Sequence, residues 1–309
     1  MEILGAAIII GITNGALIAL IALGYTLVYG IIELINFAHG DLFMLGTFAS
    51  LTVLGLFGAG LDRVSGGTPW AALAAATIVA MVFCAVLNVI AERIAYRPLR
   101  NAPRLAPLIS AIGMSFIFIN IGLFWYGPSP LSYPNLLPQN DFFKQIFGGD
   151  SLIRFTFKDL FVLGLAIPLM LALGWIIRST KIGRAMRAVA QDREMALQMG
   201  IDVDQVISFT FLLGGALAGA AAVMYGLYNN NTTFTLGFSA GLKAFTAAVL
   251  GGVGNITGAT LGGFMLGLLA SLTVTIFGGQ WENVGVFSLL VIILVFKPTG
   301  LLGEETPEH

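Results

Sequence analysis

The segment GIIELINFAHGDLFMLG, Gly30–Gly46, concentrates polar side chains between two long apolar runs of the chain. Four of these side chains fall within nine residues: Glu33, Asn36, His39 and Asp41. Polar groups at membrane depth are costly, so they normally face a cavity or a protein partner and not lipid. The segment therefore predicts either the lining of a passage through a membrane or a break between two membrane helices.

The composition predicts an integral membrane protein. Only 10% of the 309 residues are charged and 57% are hydrophobic, whereas a soluble domain usually carries about a quarter charged residues. The fifteen Lys and Arg residues are balanced by sixteen acidic residues and form no basic stripe. We therefore expect no nucleic-acid partner. A single cysteine, Cys84, and two histidines supply neither a disulfide nor the ligands of a Cys/His metal site.

Eight stretches without Asp, Glu, Lys or Arg reach or approach the roughly 20 apolar residues that a transmembrane helix needs. They are Ile3–Ile32, Leu42–Leu61, Val64–Ala91, Leu105–Asn140, Leu160–Ile177, Gln205–Leu242, Ala244–Trp281 and Asn283–Phe296. The runs are continuous and not alternating, which favours helices over a β-barrel. We therefore predict an all-α polytopic bundle of about eight to nine transmembrane helices, forming a single transmembrane domain over residues 1–309. Ala244–Trp281 is too long for one ordinary span, so a tilted helix, a helix pair or a re-entrant segment all fit it.

The positions of the cations predict the orientation, because Lys and Arg are retained on the cytoplasmic side during insertion. Nine of the fifteen lie in two clusters: Arg93, Arg97, Arg100 and Arg104, and then Arg178, Lys181, Arg184, Arg187 and Arg193. We assign both clusters to the cytoplasm and predict an external loop over residues 127–158, which is rich in Pro, Asn and Gly. The start, MEILGAAIII, lacks a basic n-region and is expected to be a first membrane segment beginning outside.

Glycines spaced four residues apart predict close helix packing, because small residues let helix backbones approach each other in lipid. The pairs are Gly11 with Gly15, Gly215 with Gly219, and Gly263 with Gly267, and Gly254, Gly258 and Gly262 form a series. The glycine-rich stretch VLGGVGNITGATLGG, with Asn255, also interrupts its apolar run much as Asn36–Gly46 interrupts the first one. Such interruptions in both halves point to a transporter site near the membrane midplane, although close packing alone also explains them.

The segment 178–205 is predicted to be the one sizeable cytoplasmic structure. Its apolar residues recur at helical spacing beside arginines: Ala185, Met186, Val189, Met195, Ala196 and Met199. A short amphipathic helix of this kind suits either attachment to the lipid of the inner leaflet or docking onto a cytoplasmic partner. Both interpretations stay open on the residues alone.

The segment from Glu194 through Met195 and Ala196 to Gly200 resembles the Glu-Ala-Ala-x-x-x-Gly core that permeases of ATP-binding-cassette importers present to their ATPase subunits. It departs from that pattern at Met195, and FTFLLGG replaces the downstream Ile-x-Leu-Pro element. The resemblance implies that 178–205 is a coupling loop. The coupling residues that it implies are Gly183, Arg184, Arg187, Glu194, Ala196 and Gly200.

The stretch LGYTLVYGIIELINFAHGDLFMLGTF, Leu23–Phe48, resembles the signature of the LivH-type permeases of branched-chain amino-acid importers. Three further matches, in the same order as in that family, are AYRPLR at 95–100, GRAMRAVAQDREMALQMGI at 183–201 and FTAAVLGGVGNITGATLGG at 245–263. The resemblance covers nearly the whole chain and implies a permease in the bacterial inner membrane.

The same resemblance implies partners that this chain does not contain. They are a second related permease, two cytoplasmic ATP-binding subunits that hold ATP and Mg²⁺, and an external, periplasmic amino-acid-binding protein. Membrane lipid is the remaining expected partner. The sequence has no Gly-x-x-x-x-Gly-Lys-Ser/Thr phosphate loop, so we expect no cofactor in this chain and no enzymatic activity of its own.

The polar cluster has two interpretations. If the stretch is helical, Glu33, Asn36 and either His39 or Gly40 share one face, and Asp41 points away from it. That face would line the translocation pathway, for which we predict Asn36, His39 and Glu33, together with the intramembrane amides Asn14 and Asn255. In the structural alternative, Asn36 and His39 bond to backbone carbonyls where the helix breaks at Gly40, while Glu33 and Asp41 help the chain turn at the inner face.

Three other functions compete with an amino-acid importer. A related importer for urea or short amides would use a similar permease, since selectivity there resides largely in the external binding protein. The second is a self-contained channel or secondary transporter for a small neutral solute. A coupled carrier of this kind would need an ion site, for which His39 with Glu33 or Asp41 is the one candidate. A membrane enzyme would need further positioned groups beside His39 and Asp41.

Overall fold

The computed structural model describes residues 2–34, 36–58, 68–100, 102–103, 105–138, 141–142, 154–297 and 299–303. Within these ranges the protein is almost entirely helical. In chain order the helices are α1 (Glu2–Ile32), α2 (Ala38–Leu56), α3 (Thr68–Ala91), α4 (Leu105–Tyr126), α5 (Phe157–Ser179), α6 (Lys181–Gln191), α7 (Arg193–Gln198), α8 (Val203–Asn229), α9 (Leu236–Gly251), α10 (Ile256–Phe277) and α11 (Glu282–Phe296). A π-helical turn, Glu92–Tyr96, and a 3-10 turn, Arg97–Leu99, extend α3, and a second 3-10 turn, Gly279–Trp281, precedes α11.

Eight helices in the described part of the chain are long and apolar enough to cross a membrane. They are α1, α2, α3 with its extension, α4, α5, α8, α10, and α11 with the preceding 3-10 turn. A further apolar helix in the described residues, α9, has 16 residues and is shorter than these eight. The predicted all-α polytopic bundle is confirmed.

Helix α1 is the central element of the bundle, and it packs along α10 through glycines. A Cβ added to Gly15 would lie 2.8 Å from the Cα of Phe264, and one added to Gly267 would lie 2.3 Å from the Cα of Gly15. The same device joins α8 to α3, because a Cβ on Gly219 would lie 2.3 Å from the carbonyl oxygen of Ala80. The predicted close packing at these glycines is confirmed, since no larger side chain fits between the backbones.

The long uncharged run Ala244–Trp281 forms the end of one helix and the whole of the next. Helix α9 ends at Gly251, and α10 begins at Ile256. Between them, Gly252 and Gly254 have φ values of +104° and +92°, a region that favours glycine. Residues near Gly251 then face residues near Gly258, so the two helices run antiparallel. The helix pair is therefore the correct one of the three expectations for this run.

The predicted external segment is tied to the bundle where the structure describes it. Leu131–Ser132, strand β1, pairs antiparallel with Asn231–Thr232, strand β2, in the connection from α8 to α9. The hydroxyl groups of Thr232 and Thr47 are 2.6 Å apart, and the Tyr133 hydroxyl contacts Ser50. The assignment of 127–158 to the outside stays a prediction, and 139–140 and 143–153 lie outside the described residues.

The arginine cluster at the end of α3 is neutralised by acidic side chains. Arg100 forms salt bridges with both Glu92 and Asp204, and Arg97 pairs with Asp204. The Glu92 side chain is fully buried and also accepts a hydrogen bond of 2.8 Å from the hydroxyl of Ser208. This network fixes the end of α3 to the start of α8. Arg104, the fourth member of the predicted cluster, lies outside the described residues.

We expect Gly267→Ala to lower the free energy of unfolding by about 1–3 kcal/mol, because the added methyl group would collide with the backbone of α1. Thermal melting of the purified protein in detergent measures the loss. Gly164→Ala is the matched control, since a Cβ there meets nothing within 4 Å. Equal melting temperatures for the two variants would contradict the packing role of Gly267.

Candidate translocation and coupling site

The polar cluster forms a break between two helices and not a helical face. Helix α1 ends at Ile32 because Glu33 adopts a left-handed conformation, with φ of +58°, while its N–H donates to the carbonyl oxygen of Tyr29 at 2.7 Å. Helix α2 begins only at Ala38. The expectation that Glu33 and Asn36 share a helical face is therefore wrong, since helical spacing does not apply across a left-handed residue. Ile35 lies outside the described residues.

Asn36 holds the break against the end of α3. Its side chain is 4% exposed, and its Oδ1 accepts a hydrogen bond of 2.7 Å from the Tyr96 hydroxyl. The Tyr96 ring in turn lies 5.6 Å from the ring of Phe211 on α8. A buried amide with a fixed partner is held in place, so the break has a defined geometry.

His39 is fully buried against α1. Its ring lies on Gly24, where an added Cβ would come within 2.2 Å of Nε2, and its centroid is 4.9 Å from that of Tyr25. Neither ring nitrogen makes a hydrogen bond of normal geometry with the described residues, although the backbone of Ile21 faces the ring. His39 therefore fills a slot in the bundle and carries unused hydrogen-bonding capacity there.

Asp41 lies inside the bundle and not in a turn at the membrane surface. It belongs to the first turn of α2, is 1% exposed, and accepts a hydrogen bond from the Ser115 hydroxyl of α4. Its Oδ1 has no partner among the described residues and lies beside Gly237, in the first turn of α9. The positive ends of two helices thus meet this carboxyl group. The expectation that Asp41 helps the chain turn at the inner face is wrong, because Glu33 and Asn36 form the break and Asp41 follows it.

The end of α1 lies against the break between α9 and α10. A Cβ added to Gly30, near the end of α1, would lie 3.3 Å from the Cα of Gly254, in the break between α9 and α10. Asn255 caps α10 by accepting from the N–H of Gly258 at 3.0 Å, and it donates to the carbonyl oxygen of Leu302 at 2.8 Å. Asn14 is half-buried on α1. The proximity of the two breaks is the arrangement expected of a transporter site, and the pathway roles of Asn14 and Asn255 stay predictions.

The predicted coupling segment contains two short helices, α6 and α7. The N–H of Asp192 makes the last hydrogen bond of α6, and its side chain caps α7 by accepting from the N–H of Met195 at 2.9 Å. Gly183 lies in the first turn of α6, where its N–H donates to the Thr180 cap, and a Cβ there would lie 2.3 Å from the carbonyl oxygens of Ile176 and Ile177. Arg187 donates to the carbonyl oxygen of Ile177, and Arg184 is exposed. The loop is therefore fixed to the end of α5.

Helix α7 ends in a left-handed glycine cap. Gly200 has φ of +79°, its N–H bonds to Leu197, and the N–H of Ile201 reaches the carbonyl oxygen of Ala196 at 3.0 Å, which is the Schellman pattern. Ala196 is buried and Glu194 is exposed. The side chains of Met195 and Met199, one turn apart, are 59% and 81% exposed, and we call them the α7 edge.

A cleft of about 380 Å³ separates the coupling helices from the break after α1. Arg193 spans it, since one guanidinium nitrogen donates to the carbonyl oxygen of Ile31 at 2.8 Å. Burial lowers the pKa of the Arg193 guanidinium, nearby Arg100 lowers it further, and Glu33 raises it. Arginine still stays protonated in proteins. The cleft and this contact connect the predicted coupling residues with the predicted pathway residue Glu33.

Comparison with known proteins identifies the family. Residues 7–296 match the family described as the permease component of branched-chain amino acid transport systems. The chain belongs to this family. It is 42% identical over 303 residues to the high-affinity branched-chain amino acid transport system permease protein BraD of Pseudomonas aeruginosa, a match that covers 96% of this chain and 95% of BraD.

Two further relatives give the range of similarity. LivH of Escherichia coli, a permease protein of the same description, is 40% identical over 301 residues, covering 96% of this chain and 95% of LivH. LsrC, an autoinducer 2 import system permease protein of Yersinia pseudotuberculosis, is 32% identical over 143 residues, covering 43% of this chain and 40% of LsrC. No solved structure matches the chain.

The resemblance to the LivH-type permeases is thereby confirmed. Together with the eight apolar helices, it makes this family member a multi-pass protein of the bacterial inner membrane. Sequence reasoning missed Tyr96 as the partner of Asn36 and Arg193 as the contact to α1. Both lie in motifs that match the family, AYRPLR and the coupling segment, and this was the one signal that could have found them.

Substitutions of Gly200 test whether its left-handed conformation fixes the end of α7 in this permease. We expect Gly200→Val to unwind the end of α7, because a β-branched residue is disfavoured at positive φ by about 1–2 kcal/mol. Gly200→Asn is the matched control, since asparagine tolerates the left-handed region. Limited proteolysis of the two proteins in membrane vesicles, cytoplasmic face outward, compares them. Equal resistance to cleavage after residues 193–200 would contradict the role of the cap.

Proposed function

We propose that this chain is the permease subunit of an ATP-driven importer for branched-chain or other hydrophobic, neutral amino acids. Its family and the names of BraD and LivH support the substrate class. The observation that carries the proposal is the contact between Arg193 and Ile31, because it joins an exposed cytoplasmic helix to the end of a central membrane helix.

The assembly has the subunits that the resemblance implies. A second related permease completes the passage, two cytoplasmic subunits bind ATP and Mg²⁺, and an external binding protein delivers the amino acid. The α7 edge is the docking surface for an ATP-binding subunit. Large exposed apolar side chains on a short, capped helix that lies at the end of a membrane protein favour burial by another protein. The chain itself transmits motion and conducts the substrate, and hydrolysis takes place in the ATP-binding subunits.

The geometry supports a lever at the inner face. A displacement of α7 would move Arg193. Its hydrogen bond to the carbonyl oxygen of Ile31 would transmit this movement to the break between α1 and α2. The second break, at Gly252–Asn255, lies against Gly30 and would move with it. Rigid-body movement about such contacts alternates access to a central passage.

Asn36 and His39 are the buried residues beside the break that we assign to the pathway. The Asn36 side chain accepts one hydrogen bond among those described, and both ring nitrogens of His39 have no partner of normal geometry. A backbone break and unused polar groups in one place provide groups for a polar solute once the bundle opens. In the described conformation these side chains are closed off from solvent.

The α7 edge provides the test of docking. We expect the double variant Met195→Ser, Met199→Ser to lose most co-purification of the ATP-binding subunits and most ATP-dependent leucine uptake, because the apolar contact area is removed. Leu302→Ser is the matched control, since its side chain is exposed outside the coupling helices. Membrane levels of all three proteins are compared by immunoblot.

The outcomes separate the proposal from its competitors. Leucine uptake into proteoliposomes that requires the ATP-binding subunits and the external protein supports an importer subunit. Uptake by the permease alone would show a channel or secondary transporter instead. Uptake of urea or short amides, with none of leucine, would overturn the substrate class and leave the importer mechanism.

A further inference from the structure

Two opposite charges face the cytoplasmic cleft without pairing. Arg193 and Glu33 are close enough to influence each other electrostatically, yet they form no salt bridge among the described residues. Arg193 uses one nitrogen on Ile31, and its other N–H groups have no acceptor in the described part of the chain. The Glu33 side chain is exposed and has no described hydrogen-bond partner. Such a pair leaves one cation and one anion free to bind a ligand.

Glu33 is held in a conformation that costs free energy. It is one of two described residues other than glycine with positive φ, the other being Asn230. Asparagine adopts this region readily, whereas glutamate does not. A strained backbone that presents a free carboxylate to a cleft is a feature found at binding sites. If this position only ended α1, a glycine would adopt the left-handed conformation at a lower cost in free energy.

The other residues that line the cleft provide both apolar surface and charge. Ile31, Ile32 and Pro107 line the cleft with apolar surface, and Asp192 and Glu194 add negative charge near Glu33. Arg100 also borders the cleft, but its terminal nitrogens are taken by Glu92 and Asp204. Arg193 is therefore the cation available to an anionic group.

We propose that this cleft binds the zwitterion of an apolar amino acid from the cytoplasmic side. The carboxylate lies on Arg193, the ammonium group lies on Glu33, and the side chain lies against Ile31, Ile32 and Pro107. The inference rests on the proposed function for its choice of amino acid, since the product of import is released at this face. A bound product joins α7 to the break after α1 and restrains the lever described above.

Equilibrium binding of radiolabelled leucine tests the site. The importer complex, with its ATP-binding subunits, is placed in nanodiscs without the external binding protein. We expect leucine to bind, and leucinamide and 4-methylpentanoate to compete at least about tenfold more weakly, because each lacks one charged group. If either analogue bound as tightly as leucine, the proposed contact to the charged group that it lacks would be wrong.

Charge-neutral variants locate the site. Arg193→Gln and Glu33→Gln are each expected to weaken leucine binding at least about tenfold. Lys181→Gln, at an exposed position outside the cleft, is a control with the same charge change as Arg193→Gln. Glu33→Gln preserves size and backbone, and melting temperatures of both variants exclude unfolding as the cause. Leucine binding that is absent in the unaltered complex, or unchanged in both variants, would overturn the inference.

Uptake in the same preparation separates this inference from the proposed function. In proteoliposomes with the external binding protein, preloading leucine on the cytoplasmic side is expected to slow uptake, and preloading leucinamide is expected to slow it less. ATP-dependent leucine uptake without any binding at the cleft would overturn this inference alone. Absence of uptake for every amino acid tested would overturn the proposed function, and the cleft assignment with it.

Discussion

A helix that ends within or beside a membrane must find partners for its last backbone groups, because lipid supplies none. This constraint organises the connection between α1 and α2. Helix α1 ends at Ile32, and the carbonyl oxygen of Ile31 is satisfied by Arg193 from a segment more than 160 residues later. The buried side-chain amide of Asn36 also needs a partner, and its Oδ1 accepts a hydrogen bond from the Tyr96 hydroxyl. Partners supplied by α7 and α3 therefore make the break possible, and the break depends on where those elements lie.

The glycine contacts decide where those elements can lie. Backbone contact between α1 and α10 at Gly15 and Gly267, and between α8 and α3 at Gly219, leaves little freedom in how the central helices are placed. By contrast, the ends of α9 and α10 turn on glycines with positive φ. The central helices are thus placed by close backbone contact, while the connection from α9 to α10 uses backbone conformations that favour glycine.

The sequence predicted the membrane helices well because membrane insertion depends directly on a local property, the absence of charged residues over a long stretch. The cytoplasmic assignment of the loop arginines and the coupling role of 178–205 stay predictions. The sequence did not predict that Glu33 would end α1. Glu33 fits a helical spacing with its neighbours, and the sequence does not indicate that its backbone is left-handed. The contacts of Asn36 with Tyr96 and of Asp41 with Ser115 join residues 60 and 74 positions apart, and no periodicity reports such pairs.

The capped ends of α7 set its length and therefore its register. Asp192 fixes the first turn and Gly200 fixes the last, so Met195 and Met199 hold a set angle about the helix axis relative to Arg193. Each residue of an α-helix advances the direction of a side chain by about 100°. A single inserted or deleted residue between Asp192 and Gly200 would turn the apolar edge relative to Arg193 while leaving the composition almost unchanged. This segment should therefore tolerate substitutions far better than changes in length.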